Sequence, residues 1–166
     1  MKTMVVLGVG SNLGDSRQII LDAMKELDAV LMETRAASFY ETEPMHVTDQ
    51  NNFINTAVAG VYEKPENPQS ARELLGEIHD IEARFGRDRS KERRWGERFL
   101  DIDILLFGNL VLNEPDLIIP HPRLKERRFA LQPLLELLPC SAEPGTGILY
   151  RDFFHSLPEQ GVKLLI

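Results

Sequence analysis

Between Leu100 and Phe107 the chain reads Leu-Asp-Ile-Asp-Ile-Leu-Leu-Phe, an apolar run with carboxylates at two alternate positions, Asp101 and Asp103. Such a run predicts a largely buried β-strand over 99–107. A strand turns residues i and i+2 to one face, so the two acids share a face with Cα atoms about 6.5–7 Å apart. Two uncompensated aspartates on a buried face are costly. A divalent cation removes that cost directly, and carboxylates are ligands that Mg²⁺ accepts. An Asp-x-Asp triplet alone favours a solvated strand face, because short motifs recur by chance. The aliphatic residues on all sides shift the reading to a metal role.

Just upstream, residues 84–98 hold seven basic and three acidic side chains, within a chain of net charge −7. The stretch 87–98 has no apolar period and is predicted to be a mobile loop. Arginine offers planar, bidentate donors that fit phosphate oxygens. Alone, the segment reads equally well as a solvated basic loop or a weak RNA-contact patch. Beside the acid pair it points to phosphoryl transfer from a nucleotide. Trp95, set among these charges, would dock over a ligand when the loop closes or pack on the loop's own stem.

The rest of the chain supplies the scaffold. Its 166 residues, 43% hydrophobic and 27% charged, suit one domain over 1–166 with a real core. Thr3–Val9 is predicted to be a buried strand. The turn from Gly10 to Asp15 delivers a helix capped by Asp15 or Ser16, with apolar spacing from Ile19 to Leu31. Ala37–Glu41 and Phe53–Tyr62 follow as strands, separated by a polar, aperiodic loop over 42–52 of the kind that carries function. Ser70–Glu73 forms a capping box for a second helix that ends near Gly86. After the acidic strand, Gly108-Asn109 turns the chain into a short return strand, Leu110–Leu112. Arg128–Leu138 and Leu149–Leu157 read as helices, and 161–166 as an edge strand. The order β-α-β-β-α-β predicts an α+β, ferredoxin-like split βαβ fold: an antiparallel sheet with helices on one face, plus C-terminal additions.

Other motifs carry less. Gly8-x-Gly10-x-x-Leu13-Gly14 imitates a dinucleotide fingerprint, but Leu13 takes the third-glycine place and no parallel βαβ follows. His121 after Pro120 either contacts a phosphate or packs locally, whereas His46, His79 and His155 lack metal-ligand spacing. The net acidity argues against nucleic-acid binding over the whole surface. A non-catalytic RNA- or anion-binding module is the alternative reading. It would show exposed aromatics on the sheet, whereas this chain places acids on what is predicted to be a central strand. Cys140 is the sole cysteine, so no intramolecular disulfide can form. No stretch approaches the ~20 apolar residues of a membrane span. The expectation is a cytoplasmic protein with neither membrane nor nucleic-acid partner.

Five segments then converge. Gly10-Ser11-Asn12-Leu13-Gly14-Asp15, Ser38-Phe39-Tyr40-Glu41-Thr42, Phe53-Ile54-Asn55, the stretch Arg94 to Leu105, and Pro120-His121-Pro122 occur in the order found in one family. From Val5 to about Pro139 the chain resembles the 6-hydroxymethyl-7,8-dihydropterin pyrophosphokinases of folate biosynthesis. The resemblance implies transfer of pyrophosphate from ATP, as co-substrate, to the hydroxymethyl oxygen of the pterin, releasing AMP. It implies two Mg²⁺ ions on Asp101 and Asp103, and triphosphate contacts that assist transfer from Arg87 and Arg98. Glu82, Arg89, Ile104, His121 and Arg127 fall at nucleotide positions, with Arg89, Arg94 and Trp95 in a closing loop. The pterin would lie against Thr42, Pro44, Met45, Phe53, Asn55, Trp95 and Phe129, stacked between the rings of Phe53 and Phe129. Phe53 stands where some relatives have tyrosine, His79 where some have glutamine, and Pro122 where some have tyrosine. The partners implied are two small molecules, acting on a monomer. A pterin-binding relative without activity is the remaining alternative.

Overall fold

The computed structural model describes residues 1–44, 46, 48–87, 90, 96 and 99–165. Strand β1 (Thr3–Ser11) runs into a turn at Gly14, whose φ of +73° suits a residue without Cβ. Helix α1 (Ser16–Leu27) starts there, its N-cap Asp15 accepting the Gln18 N–H at 3.2 Å. The apolar spacing runs on to Leu31, but the helix stops at Leu27. Leu31 is buried for a different reason: it packs against the bare backbone of Gly60. The next strand, β2 (Met32–Ala36), has four exposed residues in five and gave no hydrophobic alternation to read. Strands β3 (Tyr40–Thr42) and β4 (Phe53–Tyr62) follow.

Helix α2 (Pro68–Arg84) does not use the expected capping box. Asn67 caps it instead, accepting the Ser70 N–H at 2.8 Å, with Pro68 in the first turn, where its missing N–H costs nothing. Glu73, the expected far half of the box, pairs with Lys64. Strand β5 (Asp101–Phe107) carries the two acids. The short strand expected to return after Gly108 does not pair with β5. Instead β6 (Leu112–Glu114) and β7 (Leu117–Ile119) form a separate ribbon. A 3₁₀ turn (Leu124–Glu126), α3 (Arg128–Leu137), α4 (Tyr150–Ser156) and the edge strand β8 (Val162–Leu164) complete the chain.

The main sheet is antiparallel in the order β5-β1-β4-β3-β8, with β2 also paired to β4. This is the ferredoxin-like α+β arrangement, with two corrections. β1, not the acidic strand, is central; β5 lies at the edge. The helices also cover both faces. Val5, Leu7 and Val9 pack with Ile20, Leu27, Leu74 and Ile78 of α1 and α2. Val6, Ala57 and Ala59 pack on the other face with Leu131 and Leu134 of α3 and Tyr150 of α4. The reason is the alternation of β1, which is apolar on both faces and therefore needs two covering layers.

One irregularity decides where the acids point. Val6 pairs with Leu106 but Leu7 pairs with Ile104, so Leu105 is an extra residue in β5, a β-bulge. Without it, strict alternation from Phe107, which is buried beneath α1 and α2, would send Asp103 and Asp101 into that same core. The bulge returns both acids to the α3 side.

α3 is fastened to the sheet by Glu136. Its carboxylate accepts the Ser38 N–H (2.9 Å), the Ser38 hydroxyl (2.8 Å) and the Tyr40 hydroxyl (2.6 Å). Burial pushes its pKa up, but the hydrogen bonds from Tyr40 and Ser38 outweigh that and hold it below the usual carboxylate range. A depressed carboxylate stabilises the fold above its unfolded-state pKa and loses that contribution as pH falls through the folded-state value. Because Glu136 is solvent-exposed, Glu136→Gln is expected to cost only about 1 kcal/mol near neutral pH. Urea denaturation at pH 7 and pH 3 checks this: the gap between variant and wild type should narrow in acid.

Candidate active site

The strand register assembles the site. Asp101 lies opposite Gly10 and Asp103 opposite Gly8 on β1; on the far side of β1, Gly10 lies opposite Asn55 and Gly8 opposite Ala57. Paired residues share a face, so Asp101 and Asn55 sit two strand spacings apart, about 10 Å, with only glycine between them. The two glycines, which looked like part of a failed nucleotide fingerprint, are the floor of a pocket. A Cβ on Gly10 would come within 2.6 Å of Asn55 Oδ1.

The pocket encloses about 120 Å³ and is lined by Gly8, Gly10, Thr42, Glu43, His46, Gln50, Phe53, Asn55, Asp101, Asp103, Leu105, His121, Arg127, Phe129 and Ala130 among others. β5 supplies the acids at one end. β3 and β4 supply Thr42, Phe53 and Asn55 at the other, and the start of α3 overhangs both with Arg127 and Phe129. Asn55 Nδ2 donates to Thr42 Oγ1, which fixes the amide with Oδ1 toward Gly10. The described part of the loop after β3, with Glu43, His46 and Gln50, closes one side. It is pinned by buried Asn12, which donates to Gln50 Oε1 (2.9 Å) and to the Asn51 carbonyl (3.0 Å).

Charge is concentrated at the acidic end. Arg87 Nη1 donates to Asp101 Oδ1 at 2.7 Å and also pairs with Glu82. The Glu82 carboxylate, 1% exposed, accepts the Ile102 N–H at 3.1 Å on the outer edge of β5. Asp103 keeps 41% of its side-chain surface accessible at the mouth of this recess. Loss of surrounding water, and then repulsion from Asp101, push its carboxyl up to about 7 despite Arg127 and Arg87. Burial, reinforced by Arg127, brings His121 down to about 4, so this ring is neutral. Its Nδ1 accepts the Arg123 N–H (3.1 Å), which leaves Nε2 as the N–H nitrogen, 3.8 Å from Asp103 Oδ2. Two carboxylates on one face, one of them raised by desolvation and by its neighbour, are relieved by a divalent cation, so Asp101 and Asp103 fit such an ion. Among the described residues no group of three or more His, Cys, Asp or Glu forms a metal cage. Two carboxylates completed by water and phosphate oxygens are the pattern that Mg²⁺ favours.

Of the residues expected from sequence, Thr42, Phe53, Asn55, Asp101, Asp103, His121, Arg127 and Phe129 come together here. Ile104 does not. It alternates to the opposite face, where its side chain lies in the α1–α2 core. Glu82 and Arg87 lie behind the pocket wall as an internal pair rather than on its surface, and Pro44 is also off the wall. Met45, Arg89, Arg94, Trp95 and Arg98 lie outside the described residues. Sequence reasoning missed Gly8, Gly10, Glu43, His46 and Gln50. The loop signal covered the last three, but the glycines became visible only through the register.

The profile of the 7,8-dihydro-6-hydroxymethylpterin-pyrophosphokinase family matches residues 6–139. The chain is 40% identical over 139 residues to the 2-amino-4-hydroxy-6-hydroxymethyldihydropteridine pyrophosphokinase of Bacillus subtilis (strain 168), covering 82% of this chain and 79% of that protein. It is 42% identical over 159 residues to a folate synthesis bifunctional protein of Arabidopsis thaliana, covering 92% of this chain and 30% of that protein. The chain thus spans less than a third of the plant relative. Among solved structures, an HPPK-DHPS complex with substrates superposes with a TM-score of 0.72 at 14% identity, covering 99% of this chain and 46% of that one. At that identity the likeness concerns the fold.

Proposed function

The chain belongs to the 7,8-dihydro-6-hydroxymethylpterin-pyrophosphokinase family, and from that premise we propose that it transfers pyrophosphate from ATP to the hydroxymethyl group of 6-hydroxymethyl-7,8-dihydropterin, releasing AMP. The observation that carries this reading is the register that sets the acid pair and Asn55 on either side of a glycine floor in one pocket. That spacing separates a polyphosphate end from a heterocycle end, as a transfer between two bound substrates requires.

Each residue then has a task. The rings of Phe53 and Phe129 take the flat pterin, and Asn55, oriented by Thr42, hydrogen-bonds its amide-like edge. Arg127 spreads positive charge at the acidic end, and the neutral His121 offers its Nε2–H to a nucleotide oxygen. Asp101 and Asp103 would hold Mg²⁺, two ions in this reading. When bound, the metal neutralises charge around the attacked phosphorus. In the reaction the hydroxymethyl oxygen loses its proton and bonds to the β-phosphorus, and the bond from that phosphorus to the α–β bridging oxygen breaks, so that AMP leaves with that oxygen. Arg87, Arg89, Arg98 and Trp95 complete the reading as triphosphate and closing-loop residues; Arg87 would have to turn from Glu82 to reach a phosphate. Residues 1–166 act as one pyrophosphokinase domain, a monomer with small-molecule partners alone. No helix among the described residues is long and apolar enough to cross a membrane. A cytoplasmic site of action is part of the proposal, supported by a single, exposed cysteine.

The test is AMP release that requires both the pterin and a divalent cation. It should stop on addition of EDTA and resume with excess Mg²⁺; release that ignores the pterin would reject the proposal. A finer check addresses the floor. Gly10→Ala puts a methyl group where Asn55 Oδ1 lies. It is expected to raise KM for the pterin ~10-fold through the displaced amide, with KM for ATP changed far less.

A further inference from the structure

We propose that Gln160, in the C-terminal segment beyond the family match, is a positioning residue that sets Arg127 in the pocket. The inference rests on the pyrophosphokinase reading for what Arg127 does there, but on separate geometry for how it is held.

α3 begins badly by the usual rules. Its N-cap is Arg127, which makes no side-chain capping hydrogen bond. Ser, Thr, Asp or Asn would satisfy a first-turn N–H; arginine cannot accept at all. The side chain is committed elsewhere: it lines the pocket, with its guanidinium 5.4 Å from the Phe129 ring centre. The missing acceptor comes from 32 residues downstream. Gln160 Oε1 accepts the Arg128 N–H at 2.8 Å, and Gln160 Nε2 donates to the Glu126 carbonyl at 2.9 Å. These two groups belong to the peptide units on either side of the Arg127 Cα. One amide side chain therefore bridges both planes and holds the extended backbone of Arg127 (φ −122°, ψ 109°) that aims its side chain. Glutamine suits this task because its amide presents a donor and an acceptor on one planar group.

The segment bearing Gln160 is itself anchored. Arg128 Nη2 donates to the Leu157 carbonyl at 2.8 Å, and its guanidinium lies 4.5 Å from the Phe154 ring centre. Downstream, β8 pairs with β3, Val162 opposite Thr42. Residues 157–164 thus tie the α3 wall of the pocket to the β3 wall. The family match ends at residue 139, before this segment begins.

The test compares full-length Gln160→Ala with wild type, with Lys163→Ala, an exposed change in β8, as control. Gln160→Ala should lower kcat/KM ~10-fold, the scale of a small misplacement near reacting groups, while Tm barely moves and the control stays at wild-type activity. Gln160→Glu keeps the acceptor but loses the donor, and should fall between. A fold-only role would not produce the decisive result: in an Arg127→Ala background, adding Gln160→Ala should cost nothing further. Equal losses in both backgrounds, or unchanged kcat/KM in Gln160→Ala, would overturn the proposal. Should wild type form no AMP, the functional reading fails, and hydrogen exchange at the Arg128 amide still decides on the brace. Exchange should accelerate in Gln160→Ala; retained protection would refute it.

Discussion

Asp103→Ala is expected to lower turnover by ~10²–10⁴-fold, the scale seen when a centre of transition-state charge stabilisation is removed. The fold should survive. Asp103 is partly accessible, sits opposite a glycine and packs into neither core. It is also crowded by Asp101, so its removal relieves repulsion rather than breaking a stabilising pair. Thermal stability should therefore hold or rise slightly while activity collapses, a signature of a group retained for chemistry. Steady-state kinetics with circular dichroism melting of the same preparation check both halves. Asp103→Asn keeps the shape and loses the charge, and should be nearly as inactive.

Glu82→Ala should do the reverse, destabilising the fold by ~3 kcal/mol. Its carboxylate is 1% exposed and accepts from the Arg87 guanidinium and the Ile102 N–H among the described residues. Truncation leaves Arg87, itself 6% exposed, with less compensation for its burial, and strips an acceptor from the outer edge of β5. Breaking a buried pair from one side is costly because the remaining charge cannot reach water. Asp101 still faces Arg87 at 2.7 Å, which keeps the loss below that of a fully orphaned arginine. Guanidinium denaturation gives the figure. The isosteric Glu82→Gln retains an acceptor for Ile102 and should lose about half as much.

The same two strands show where reading a sequence succeeds and where it stops. The i, i+2 spacing of Asp101 and Asp103 and the aliphatic residues around them were enough to find the strand and the acid pair. Which face the pair takes was not legible: that depends on the bulge at Leu105, an event in the pairing with β1 that no local pattern announces. Gly8 and Gly10 looked like part of a dinucleotide fingerprint because their purpose, leaving room between the acids of β5 and the facing residues of β4, exists only across three strands. β2 escaped because an edge strand with both faces largely in water has no period. Asn67 was passed over for Ser70 because both can cap, and Pro68 favours starting the helix immediately after Asn67. Ile104 was carried to the nucleotide by resemblance, although the alternation that pairs Asp101 with Asp103 already turned its side chain to the other face.

The central claim is that one pocket joins a polyphosphate held by the acid pair to a pterin held over the glycine floor, with attack at the β-phosphorus. ATP labelled at the β-phosphorus tests it most directly when incubated with Mg²⁺ and 6-hydroxymethyl-7,8-dihydropterin. The account predicts that the label moves to the pterin product while unlabelled AMP accumulates. Label remaining in ADP, with a pterin monophosphate formed instead, would contradict it.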